Sequence, residues 1–143
     1  MAIWQLSFKL IPADGHFYEK DILLGDVSTS ILSSELPVNQ SWCEENKLFG
    51  CLDTTCVEIC IFNSMIDEIS VRMDIRSLSK SQLDCIIKFA QFNNLQISHD
   101  EKVLMASIDN VLSMICNSNA LRYVEDPRQF FMSLSMDGED VDN

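Results

Sequence analysis

Six cysteines (Cys43, Cys51, Cys56, Cys60, Cys85, Cys116) and two histidines (His16, His99) are the residues in this 143-residue chain best suited to nucleophilic or metal chemistry. Cys51, Cys56 and Cys60 follow the spacing C-x4-C-x3-C, with neither histidine nearby in sequence. Structural zinc sites pair ligands at C-x2–4-C and answer them with a second such pair, which this chain lacks. Free cysteine otherwise behaves as a small hydrophobe, so the expectation is a set of unbridged structural thiols and no metal. A Cys–His pair stays open, because catalytic partners meet in space rather than in sequence; Cys56 and His99 are the pair to test. The chain contains no G-x-S-x-G, no G-x-x-x-x-G-K-[ST] and no H-E-x-x-H, and Gly15, Gly25, Gly50 and Gly138 are isolated. Isolated glycines build no phosphate cradle, and no cofactor is expected.

Two polar constellations suit binding better than catalysis. Arg72, Asp74 and Arg76 recur at spacing two, which on a strand puts all three on one face. A solvated sheet face, or an ion-pair network with the helix that follows, accounts for them. Trp42 stands beside Cys43, Glu44 and Glu45 in an irregular stretch. It is either a core residue or, flanked by acids in a loop, the apolar anchor of an interface.

Charge divides the chain unevenly. Ten Lys and Arg against 22 Asp and Glu give a net charge of −12, and the pI is about 4.3. This balance excludes the clustered cations by which general nucleic-acid binders neutralise phosphates, and disfavours anionic membranes. Residues 14–68 hold eleven acids and two bases, residues 69–136 seven of each, and residues 137–143 four acids and no base. The acidity therefore points to one region as the place for a basic partner, whose association complementary fields would accelerate. Glu44, Glu45, Asp53, Glu58, Asp67 and Glu68, with Trp42, are the candidate contact residues.

These residues need a scaffold, and 47% hydrophobic residues suffice for one. Trp4, Leu6, Phe8 and Leu10 alternate with polar residues over 3–11, predicting a strand ended at Pro12. Residues 28–36 read as a short helix stopped by Pro37. Short strands follow over 48–52, 56–62 and 66–76, the last alternating Ile69, Val71, Met73 and Ile75 with polar residues. Connections this short force antiparallel pairing, hence a meander. Ser79 with Gln82, and Leu78 with Leu83, predict a capping box and a hydrophobic staple for a helix buried through Leu83, Ile86, Ile87 and Ala90. A strand over 95–97, a helix from Ser107 through Ile108, Val111, Leu112 and Ile115, and a helix capped by Asp126 and buried through Phe130, Phe131 and Leu134 complete the reading. The expected fold is α+β: an antiparallel meander of about four to five strands against two to three helices, one domain over 1–136, and a disordered acidic tail over 137–143.

Met1 to Pro12 show no basic segment, long apolar run or cleavage site, so a cytoplasmic, reducing compartment is expected. The early Trp4 and Pro12, the loop Trp42, the strand Ile69 to Arg76, the Ser79-capped helix ending near Phe89-Ala90, and the segment Ser118 to Pro127 together resemble small bacterial immunity-type proteins that accompany polymorphic toxins or contact-delivered effectors. The resemblance covers most of residues 3–134; residues 14–46 have no counterpart in it. It implies an α+β fold and a role in interbacterial competition, such as around type VI secretion. The expected function is thus non-enzymatic neutralisation of a cognate toxin domain, an acidic surface occluding a basic cleft such as a nuclease's, by a monomer or homodimer. A secretion-effector chaperone is the alternative, although such chaperones open with a helix. A small Cys/His-dependent enzyme is the third reading.

Overall fold

The computed structural model describes residues 2–13, 16–126 and 128–129. Its elements in chain order are β1 (Gln5–Pro12), α1 (Lys20–Leu23), α2 (Asp26–Ser33), β2 (Val38–Asn39), β3 (Lys47–Gly50), β4 (Cys56–Phe62), β5 (Met65–Asp74), α3 (Lys80–Phe92), β6 (Leu95–His99), β7 (Lys102–Met105), α4 (Ile108–Cys116) and α5 (Asn119–Glu125). The class is α+β, as expected. The described residues form one seven-stranded sheet and five helices, more of each than the alternation announced.

Strand order is β2-β3-β4-β5-β1-β6-β7, and every neighbouring pair is antiparallel. The meander is therefore interrupted: β1 inserts between β5 and β6, which run parallel to each other and need α3 as their crossover. Asn63 and Ser64, with φ of 51° and 62°, make the two-residue β4–β5 turn, and Asp100 and Glu101, at 48° and 63°, make the β6–β7 turn. Both φ pairs are those of the hairpin turn whose twist matches the strands.

One face of the sheet is the core face. Leu6, Phe8, Leu10, Val57, Ile59, Ile69, Val71, Met73 and Ile97 lie on it and are buried beneath α2 and α3. The Ser79 capping box is present, with Gln82 N–H donating to Ser79 Oγ at 3.1 Å and Ser79 N–H to Gln82 Oε1 at 3.2 Å. Leu83, Ile86, Ile87 and Ala90 are all buried as the spacing required. In α4 the stripe is rotated: Val111 and Met114 are buried, whereas Leu112 faces outward.

Three local expectations change. Trp4 precedes β1, and its ring lies under the Arg76 guanidinium, 3.9 Å from the centroid. The strand predicted through Arg76 ends at Asp74. Asp74 pairs with Arg76 at 3.0 Å, so that ion pair closes the strand end instead of reaching the following helix. Asp126 Oδ1 accepts the Gln129 N–H at 3.0 Å, as a cap would. The predicted helix beyond it, with Phe130, Phe131 and Leu134, and the expected tail over 137–143 lie outside the described residues.

Candidate interaction surface on the open sheet face

Directly opposed residues of an antiparallel pair share a face, so the register places the polar side chains. Opposite the core face stand Glu58 against Ser70, Cys60 against Glu68, and Phe62 against Met65. A register shift between Cys60 and Ile61 leaves Asp67 as the extra residue of β5. Glu58, Asp67 and Glu68, nine or ten residues apart in sequence, therefore gather around one thiol. Burial first, then the carboxylates of Glu58, Glu68 and Asp67, push the Cys60 thiol up to about 11.

The loop 40–46 is tied to the same end of the sheet. Ser41 Oγ donates to Glu58 Oε2 at 2.7 Å, and Asn46 Oδ1 accepts the Ile61 N–H at 2.9 Å. Between these tethers Glu44 and Glu45 are exposed, and Trp42 is 84% exposed. Exposure settles the choice left open for Trp42: it is not core.

Asp53 does not join this group. It sits in the turn between β3 and β4, next to the Leu52 and Thr54 carbonyls that accept from Gln5 Nε2 at 3.0 and 2.7 Å. That turn adjoins Cys56, whereas Asp67 and Glu68 adjoin Cys60, four residues or ~13 Å along the strand. Gly50 enters the turn at φ +91°, where an added Cβ would lie 2.2 Å from Thr55 O.

Lys9 reduces the negative charge of the site. Its Nζ lies 2.7 Å from Glu68 Oε1, and that carboxylate holds the ammonium above its usual 10.5. Glu44, Glu45 and Asp67 form no ion pair within 4 Å among the described residues. Phe62 and Met65, at the hairpin tip, are 66% and 70% exposed. Sequence reasoning missed both as contact residues, although the alternation that buries Val57 and Ile59 and half-buries Ile61 already assigns Phe62 to the face of Glu58 and Cys60.

The cysteines follow their local environments. All six are free; Cys56 and Cys85 are buried, Cys51 and Cys116 exposed. Cys56 and Cys60 are four strand residues apart, ~13 Å, too far to share one ion. Burial pushes the Cys56 thiol up to about 11, opposite to the shift that activates a nucleophile. Cys56 on β4 and His99 on β6 are separated by β5 and β1, ~14 Å at ordinary strand spacing. His99 instead places Nδ1 3.1 Å from Ser7 O and Nε2 3.4 Å from Asp100 Oδ2. Among the described residues no helix is long and apolar enough to cross a membrane.

The site thus offers exposed aromatic and thioether surface among carboxylates of which Glu68 alone has an ion pair among the described residues, a composition for docking a cationic surface. No protein-family profile, curated protein or solved structure matches the chain.

Proposed function

We propose that the chain is a non-enzymatic, cytoplasmic immunity-type protein that binds a cognate bacterial toxin or effector domain and covers its basic active-site cleft. The observation that carries this reading is that the loop bearing exposed Trp42, Glu44 and Glu45 is tethered to Glu58 and Ile61, at the end of β4 and β5 that also holds Asp67 and exposed Phe62 and Met65. Carboxylates held on a sheet and a tethered loop present anions at fixed spacing, as a phosphate backbone does to a nuclease. The aromatic residues supply the desolvated centre from which interfaces draw most of their affinity. Lys9 leaves Glu68 a minor contributor, and Asp53 lies outside the surface.

The reading is tested by recovering the protein that associates with the chain in its native host and asking whether the chain protects cells expressing that protein. Protection that is lost in Glu44→Lys/Glu45→Lys, with the variant still folded, supports the proposal. Undiminished protection by that variant overturns the surface assignment. An obligate dimer bound to an effector that is harmless to the cell points to the chaperone alternative instead.

A further inference from the structure

The helical layer carries a groove, on the face of the sheet opposite the acidic surface. Val27, Ser30, Ile31 and Ser34 of α2 and its C-terminal turn face Ser81, Asp84, Cys85 and Lys88 of α3 across an open groove of about 710 Å³. Both sets follow the spacing i, i+3, i+4, i+7, so each is one continuous stripe of its helix. The two stripes run side by side because α2 and α3 pack against each other over the core.

The chemistry of the groove is specific. Val27 and Ile31 give it an apolar floor, and Val27 is 59% exposed. Serines at 30, 34 and 81 keep the walls low, allowing another backbone to approach closely. The rim is acidic: Asp26, Glu35 and Asp84 stand against Lys88 alone. Lys80 reaches Asp84 only at 3.9 Å, with both side chains half or more exposed. Glu35 and Asp84 both line the groove, on either side of Cys85.

We infer that this groove binds an amphipathic helix of a partner protein, apolar on one face and flanked by Lys or Arg. A groove between two helices matches the helix-in-groove mode, in which i, i+3, i+4 and i+7 side chains of the ligand fill the floor. Its length, from Val27 to Ser34, is ~10 Å, or about two turns of a bound helix. The rim selects the charge of the occupant, and repels an acidic segment such as this chain's own residues 137–143. The inference is independent of the open-face surface, which lies across the sheet.

The test uses the full chain, isotopically labelled, and a synthetic 18-residue helical peptide with a leucine stripe and lysine flanks, beside the same peptide with glutamate flanks. Amide shifts on adding the lysine peptide are expected to cluster in residues 26–35 and 80–88, with the glutamate peptide binding at least tenfold more weakly. Val27→Asp is expected to weaken binding at least tenfold, and Glu35→Gln/Asp84→Asn several-fold with a shallower salt dependence. Val27→Ser serves as the milder replacement if the spectrum of Val27→Asp loses its dispersion. Glu44→Lys/Glu45→Lys should leave this binding unchanged, which separates it from the open-face reading. No binding, shifts centred on residues 40–46 and 62–68, equal affinity for both peptides, or indifference to a folded Val27 variant would each overturn the inference.

Discussion

Removing Arg76 should destabilise the protein more than removing the charge of its partner Asp74. Asp74 is 1% exposed and accepts three bonds from Arg76: backbone N–H at 2.9 Å, Nε at 3.1 Å and Nη2 at 3.0 Å. Its own backbone N–H donates to Thr55 Oγ1 at 3.0 Å and ties the end of β5 to the β3–β4 turn, a bond that substitution of the carboxylate leaves in place. The Arg76 side chain, in contrast, is 47% exposed and can return to water. Asp74→Asn keeps the shape and gives up charge-assisted hydrogen bonds, a loss of about 2–3 kcal/mol. Arg76→Ala keeps the buried carboxylate with only the residue-76 backbone N–H and Ser77 to answer it, and also removes the guanidinium from the Trp4 face, so its loss should exceed that of Asp74→Asn. The double variant has no buried charge to strand, so the two losses should fall short of additivity by at least about 1 kcal/mol.

The pH dependence follows in sign. The side-chain hydrogen bonds from Arg76 hold Asp74 below its usual 3.8. A carboxyl depressed in the folded state contributes stability that is fully present above the unfolded value and is lost as pH falls through the folded value. The stability gap between the parent chain and Asp74→Asn should therefore be constant above about pH 5 and close only below 3.8. For Arg76→Ala the guanidinium no longer offsets burial, the carboxyl is held less far down, and acid should narrow the deficit at higher pH than for Asp74→Asn. Urea unfolding of the four proteins between pH 3 and 7 measures all of this. An Arg76→Ala loss smaller than that of Asp74→Asn, or additive losses, would refute the buried-carboxylate account.

Three further outcomes are expected. Gly50→Ala puts a Cβ against the Thr55 carbonyl at a positive φ, and should cost at least about 2–3 kcal/mol in chemical denaturation. Ser79→Ala removes the α3 cap and should cost about 1 kcal/mol, with Ser79→Asp largely retaining stability. Under native conditions at pH 8, iodoacetamide with mass mapping should label Cys51 and Cys116 first, whereas Cys56 and Cys85, buried and pushed up to about 11, react only on unfolding.

Elements with strong local signals are legible in the amino-acid sequence. The alternation in β4 and β5 and the complete cap of α3 determine their type and their buried residues. β7 is not legible: its turn is Asp100-Glu101, which lacks the glycine or asparagine that marks a two-residue hairpin. α1 and β2 span four and two residues, too short for a period to show. α5 has a Ser118 cap, with Leu121 N–H donating to its Oγ at 3.1 Å, but only seven residues follow. Insertion of β1 between β5 and β6 is a long-range pairing that no local pattern encodes. The same limit governs the site. Asp53 and Glu58 are close in sequence yet face different ends of β4, while the tight turn at Asn63-Ser64 returns Glu68 opposite Cys60 and so beside Glu58. Regional acidity singles out residues 14–68, and strand register decides which of their acids meet.

On the proposed function, the acidic, aromatic end of the open sheet face docks a basic partner. Association kinetics against whichever protein is recovered with the chain from its native host, followed from low to high salt, provide the test. Electrostatically steered association far exceeds the uncharged rate at low salt and falls with ionic strength. Glu44→Lys/Glu45→Lys should slow association by roughly tenfold at low salt and flatten its salt dependence. Trp42→Ala should act mainly on dissociation, by about 2 kcal/mol or more, and Asp53→Lys, at the other end of β4, should change the rate by less than about twofold. Equal effects of Asp53→Lys and Glu44→Lys/Glu45→Lys, or no effect of either, would contradict the account.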